Sequence, residues 1–141
     1  MICTFFGHRD APESIEPVLH DTLLRLIQQE NADDFYVGSQ GGFDSMVMRV
    51  LKKLRVEYPH IRCTVILAYM PLRLGMREGL ETIFPDGLER VPQRFAVDRR
   101  NRWMIDRADC VVTYVERTVG GAAKYKHLAE QKQKMIIELA K

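Results

Sequence analysis

The sequence predicts a single α/β domain: a mostly parallel sheet of about five strands with helices on both faces, a Rossmann-like three-layer arrangement. Two observations carry that expectation. Short apolar runs alternate with amphipathic helical stretches from one end of the chain to the other. Several of the turns after those runs hold glycine beside polar residues, as expected of loops at the carboxyl edge of a parallel sheet.

Ile2 to Phe6 is an apolar run closed by Gly7, which suits a strand buried on both faces. After Gly7-His8-Arg9-Asp10-Ala11-Pro12 a helical pattern begins near Glu13. It places Ile15, Val18, Leu19, Leu23, Leu26 and Ile27 along one face and stops at Asn31. Phe35 to Val37 is the second strand and runs into Gly38-Ser39-Gln40-Gly41-Gly42-Phe43-Asp44. The helix that follows has Phe43, Met46, Val47, Val50, Leu51 and Leu54 on its apolar side, and Tyr58-Pro59-His60 ends it. Cys63 to Ala68, rich in β-branched residues, is the third strand.

The stretch 69–94 contains Pro71, Pro85 and Pro92 with Gly75, Gly79 and Gly87, and is expected to be a lid-like loop with little regular structure. Phe95 to Arg107 is helical again, with Trp103 and Met104 toward the core. Asp109 to Val115 is the fourth strand, Ala122 to Gln131 the last helix, and Met135 to Leu139 the fifth strand. Strands joined through helices imply right-handed crossovers and a parallel sheet. Residues 1–141 show no linker, repeat or low-complexity tract, so one domain accounts for the chain.

Composition narrows the function classes. The chain has 141 residues, 46% of them apolar and 28% charged, with a net charge of +2. That balance argues against nucleic acid as a partner, since nucleic-acid binders usually carry a clearly basic surface. Cys3, Cys63 and Cys110 form no CxxC pair and sit in or beside apolar runs, which suits buried thiols in a cytoplasmic protein and no bound metal. No signal peptide is visible and no apolar stretch approaches the roughly 20 residues that span a bilayer, so no membrane association is expected.

Three strand-end loops are the candidate binding elements. Gly7 permits close approach of a ligand, and His8 and Arg9 offer donors to a phosphate or carboxylate. Gly38, Gln40, Gly41 and Gly42 lead into a helix whose first amides form a natural anion site. Asp44 either complements that helix start or holds a ligand hydroxyl. Gly120 and Gly121 open the last helix in the same way, and Lys124 in its first turn is a cation placed against the helix dipole. Arg100 and Asn101 lie in an arginine-rich helix start that suits a phosphate clamp, and Tyr69 is placed to stack on a base or ring. Neither the dinucleotide fingerprint nor a Walker A loop is present. On these residues Gly41→Val is expected to abolish binding while leaving the protein folded.

Phe5-Phe6-Gly7-His8-Arg9, Gly38-x-x-Gly41-Gly42-x-Asp44, Arg100-Asn101-x-Trp103-Met104, and the strand from Asp109 followed by Gly120-Gly121-Ala122-Ala123-Lys124 together resemble the SLOG superfamily. The set is most similar to its short single-domain, DUF1273/YpsA-like members. The resemblance implies a Rossmann-like sheet with a pocket for a nucleotide or nucleotide-derived small molecule, with no cofactor, and its relatives often form dimers. Apolar helix faces at the arginine-rich end would support such a homo-oligomer. Two other functions come with the family. Lonely Guy proteins are nucleoside monophosphate phosphoribohydrolases, and DprA proteins act as nucleic-acid or protein adaptors. The Lonely Guy loop ends in a catalytic glutamate that has no counterpart in residues 119–126 here. Cleavage of an N-glycosidic bond would then fall to Asp44 or Glu116.

Overall fold

The structure, a computed structural model, describes residues 1–39, 41–69 and 81–140. Strands and helices alternate as β1 (Ile2–Gly7), α1 (Glu16–Gln29), β2 (Asp34–Val37), α2 (Gly41–Glu57), β3 (Arg62–Ile66), β4 (Glu81–Ile83), α3 (Gln93–Arg107), β5 (Cys110–Tyr114), α4 (Gly121–Gln131) and β6 (Met135–Glu138). The sheet has six strands in the order β4-β3-β2-β1-β5-β6, and every neighbouring pair is parallel.

Period-2 alternation on the strands separates two cores. On β1, Cys3 and Phe5 face α1 and α2, where Leu19, Leu23, Met46, Val47 and Leu51 pack. Phe6 faces the other way, onto Met104 and Ile105 of α3 and Tyr125 and Ala129 of α4. The α1 stripe at Leu19, Leu23, Leu26 and Ile27 is buried as its spacing requires. Full burial of a side chain such as Phe5, Phe35 or Leu23 stabilises by about 1.5–3 kcal/mol relative to exposure. Cys3, Cys63 and Cys110 are all free and buried. Contact with Cys110, and then burial, pushes the Cys3 thiol up.

The strand count departs from about five because β4 lies inside the stretch expected to be an irregular loop. Glu81-Thr82-Ile83 is too short to display an alternation, and it is largely exposed at the sheet edge. Further along, residues 84–92 form turns and a short 3-10 turn at Leu88–Arg90. Gly87 takes φ +83 there, and α3 starts at Gln93 directly after Pro92. The rest of the expected lid, residues 70–80, lies outside the described residues.

Strand order reverses at β1. The chain proceeds from β1 through β2 and β3 to β4 on one side, and places β5 and β6 on the other. The crevice beyond the carboxyl ends of β1 and β5 is therefore the point at which a sheet of this kind can hold a ligand.

Candidate functional site

A cleft of about 490 Å³ opens at that point, within the range of small-molecule sites. The end of β1 and the loop after it supply Gly7 to Asp10, Gly38 follows β2, and α3 contributes Val97, Arg100 and Asn101. The β5–α4 connection closes the other side with Arg117 and residues 119–122.

The loop after β1 is a structural latch. His8 is 7% exposed, and its Nε2 accepts the backbone N–H groups of Glu116 (2.9 Å) and Arg117 (3.3 Å). An imidazole accepting at Nε2 is neutral with its proton on Nδ1. Nε2 therefore fixes the β5–α4 connection against β1 and has no proton to offer a phosphate in this arrangement. A second tie links the same loops: Arg117 Nη2 donates to Asp10 Oδ2 (2.5 Å), which holds the Asp10 carboxyl below the usual carboxylate range. Gly7 is needed for packing: a Cβ there would lie 2.4–2.9 Å from ring atoms of Phe43.

The second glycine loop also packs. Gly42 N–H donates to Arg9 O (2.8 Å), so this first-turn amide of α2 already has an acceptor. Gly41 has φ +88, and a Cβ on it would meet Arg9 Cγ at 2.8 Å and Arg9 Cα at 3.1 Å. A Cβ on Gly42 would lie 2.6 Å from Arg9 O. Gly41→Val therefore perturbs the fold itself and cannot separate binding from folding, contrary to the sequence-based expectation.

Gly38 lets two charged groups converge. A Cβ there would sit 2.9 Å from Asp44 Oδ2 and 3.3 Å from Arg100 Cζ. The Arg100 guanidinium is 2% exposed; its Nε donates to Asn101 Oδ1 (2.9 Å) and its Nη1 to Ile66 O (3.3 Å). Burial lowers the Arg100 pKa, and the charge of Asp44 opposes that shift. Buried charges persist only when paired and hydrogen-bonded, and Asp44 with Asn101 supplies those conditions at the cleft floor.

The start of α4 differs from that of α2. Gly120 takes φ +106 with no side-chain cap, and neither Gly120 nor Gly121 has an atom within 4 Å of an added Cβ. Among the described residues, no acceptor takes the first-turn amides of Gly121, Ala122 and Ala123. Gly120, Gly121 and Ala122 all line the cleft. An uncapped helix N-terminus facing a cavity is an anion-binding element.

Asp98, which sequence reasoning passed over, organises the α3–α4 side. It accepts from Lys124 Nζ (2.9 Å), Tyr125 OH (2.7 Å) and Arg102 Nε (2.9 Å). Burial alone would raise its pKa, but these hydrogen bonds prevail and hold it at about 2. The only sequence signal was Asp98 to Arg102 at i,i+4. Lys124 is thereby engaged in an ion pair and does not line the cleft. Tyr125 does line it, stacked on Phe6 with ring centroids 5.2 Å apart, and burial with the Asp98 hydrogen bond pushes its hydroxyl up to about 12.

Of the residues singled out by sequence, Gly7, His8, Arg9, Gly38, Asp44, Arg100, Asn101, Gly120 and Gly121 line one cleft. Gly41, Gly42, Lys124 and Tyr69 do not line it, and Gln40 lies outside the described residues. Tyr69 stands outside the cleft, its hydroxyl 3.5 Å from Gln93 O. Glu116 is also outside its lining, and its carboxylate raises the pKa of the neighbouring Tyr114 hydroxyl. Among the described residues no cluster of His, Cys, Asp or Glu is disposed to hold a metal ion, and no helix is long and apolar enough to cross a membrane.

No protein-family model matches the chain, and no curated protein matches it by sequence. A solved structure of DNA processing protein A from Helicobacter pylori, described for its single-stranded DNA binding mode, is similar in fold. It superposes with a TM-score of 0.60 at 17% identity, over 98% of this chain and 64% of that one. The chain thus spans about 64% of the length of that neighbour. The likeness shows the Rossmann-like fold. It also overturns the expectation that nucleic acid is an unlikely partner, since this neighbour of the same fold is described as binding single-stranded DNA.

Proposed function

We propose that the cleft binds a nucleotide-derived ligand by its phosphate, seated on the open N-terminus of α4. The observation that carries this reading is the contrast between two helix starts. Arg9 O occupies the Gly42 amide of α2, whereas the first amides of α4 face a cavity without an acceptor among the described residues. Arg117 beside Asp10 and Arg100 beside Asp44 place guanidinium groups on either side, and Tyr125 supplies an aromatic wall. The chain is read as one SLOG-type domain over residues 1–141, of the short DUF1273/YpsA-like kind.

Binding is better supported than cleavage. A phosphoribohydrolase needs a carboxylate free to stabilise a cationic sugar or activate water. Asp44 sits beside buried Arg100, and Glu116 does not line the cleft. A second reading, binding of single-stranded nucleic acid, is favoured by the fold neighbour, which is described for its single-stranded DNA binding mode.

Calorimetric titration with nucleoside monophosphates and the matching nucleosides tests the proposal. The monophosphate is expected to bind about tenfold or more tightly than the nucleoside, because the phosphate takes charge-assisted hydrogen bonds. Gly121→Val introduces a side chain where space is open, so the fold is kept and the melting temperature stays within about 2 °C. That variant is expected to lose the phosphate-dependent affinity. Equal affinity for nucleoside and monophosphate would refute the phosphate seat.

A further inference from the structure

The β5–α4 connection, residues 115–120, forms one wall of the cleft through Arg117, Val119 and Gly120. Its first half is tied down by backbone amides. Val115 N–H donates to Glu138 Oε2 (2.9 Å), and the N–H groups of Glu116 and Arg117 both donate to His8 Nε2. Its second half is untied: among the described residues, the amides of Thr118, Val119 and Gly120 have no acceptor. The position of the wall is therefore set by what holds Glu116 and Arg117.

Both of those amides depend on one nitrogen. A backbone N–H only donates, so the two contacts exist only while Nε2 carries a bare lone pair. An imidazole ordinarily takes its second proton near pH 6.5. A proton on Nε2 would replace the acceptor by an N–H⁺ facing two N–H groups whose nitrogens stand 2.9 and 3.3 Å away, and both contacts would go at once. The displaced amides then find their next acceptor in water, on the exposed side of the segment.

The surroundings give the charged ring no substitute. The edge of the Tyr114 ring on β5 meets it with centroids 5.9 Å apart. Arg9 and Asp10 flank it in its own loop, Glu116 and Arg117 lie on the connection, and Asp44 of α2 and Arg100 of α3 share the cleft. Asp10 is held by Arg117, Asp44 stands beside Arg100, and Glu116 travels with the segment that the ring holds.

The root of the wall behaves differently. Burial alone would raise the Glu138 pKa, but hydrogen bonds from Lys126, Ala140, Val115 and Thr113 prevail and hold its carboxyl below its usual range. Val115 therefore stays anchored in mild acid and serves as the hinge. The Arg117–Asp10 pair is exposed on both sides, and such pairs contribute little by themselves.

We propose that His8 is a proton-operated latch on the cleft wall: neutral, it holds the β5–α4 connection against β1, and protonated, it releases residues 116–120. The latched form excludes the second proton, so it is favoured as pH rises and lost as pH falls. The latch stands on loop geometry and holds whichever ligand the cleft takes.

Hydrogen exchange and 15N-resolved NMR of the ligand-free protein between about pH 8 and pH 5.5 test it, beside the variant His8→Gln. The glutamine amide oxygen accepts backbone N–H groups and takes no proton in this range. At the upper pH the His8 ring should carry its proton on Nδ1. Protection of the Glu116 and Arg117 amides, corrected for the intrinsic exchange rate, should fall about tenfold or more across the range, in step with the His8 ring signals. Protection of Val115 should be kept. In His8→Gln the same amides should change less than about threefold. Unchanged protection in the unaltered protein overturns the latch. So does an equal fall in His8→Gln, which assigns the change to another group. If that variant does not fold, the unaltered protein decides alone: amide changes that do not track the His8 ring overturn the proposal. No ligand enters the experiment, so its outcome is separate from that of the phosphate titration.

Discussion

Gly7→Val is expected to destabilise the protein by about 2–3 kcal/mol, the cost of overpacking a tight core. Gly7 ends β1 directly beneath Phe43, whose ring is 1% exposed and belongs to the core between α1, α2 and the sheet. A Cβ at Gly7 would stand 2.4 Å from Cγ of that ring, far inside van der Waals contact, and valine adds two more methyl groups. The ring cannot retreat freely, because Tyr114 stacks on it with centroids 6.5 Å apart. Relief would push the first turn of α2 away from β1 and break the Gly42 to Arg9 hydrogen bond with it. Urea unfolding should show a lower midpoint for Gly7→Val than for the unaltered protein. A midpoint that stays in place would mean that Phe43 does not pack there.

Asp98→Asn is expected to cost up to about 2 kcal/mol at neutral pH, with the cost shrinking in acid. The Asp98 carboxyl titrates at about 2 in the folded protein, against an ordinary value of 3.8. A carboxylate whose pKa is depressed by folding binds fewer protons folded than unfolded between those values. Its stabilisation is therefore fully present above about pH 4 and is lost as pH falls towards 2. The shift corresponds to roughly 2 kcal/mol as an upper figure, since the side chain is 30% exposed and solvent screens its partners. The variant also removes the acceptor that Lys124 and Tyr125 share, so the α3–α4 contact loosens. Unfolding curves at pH 7 and near pH 2.5 should show the gap between the two proteins closing in acid. A constant gap would assign Asp98 a packing role without a charge contribution.

Strand positions were legible wherever an apolar run met a glycine, as at Phe5-Phe6-Gly7, because burial on both faces leaves a continuous hydrophobic signature. The α1 and α2 stripes were legible for the corresponding reason at period 3.6. β4 was not, since three residues at an exposed edge carry neither signal. At the site, loops that sequence singled out do converge on one cleft, because strand ends converge in a parallel sheet. Sequence did not distinguish the two glycine-rich helix starts. What separates them is the Arg9 carbonyl on Gly42, a contact between loops that no spacing announces. The His8 latch and the Asp10–Arg117 pair join residues more than a hundred positions apart, so side chains that looked free in sequence are engaged in structure. Lys124 is the same case: its place in a helix first turn was legible, and its partner Asp98 on another helix was not.

The backbone amides report most directly on the central claim, that the uncapped start of α4 receives the ligand phosphate. A 15N-resolved NMR titration with thymidine monophosphate should move the amide signals of Gly121, Ala122 and Ala123 most. The Gly42 signal, engaged by Arg9, should move little. Largest shifts at Gly41 and Gly42, or at residues remote from the β1–β5 crevice, would contradict it.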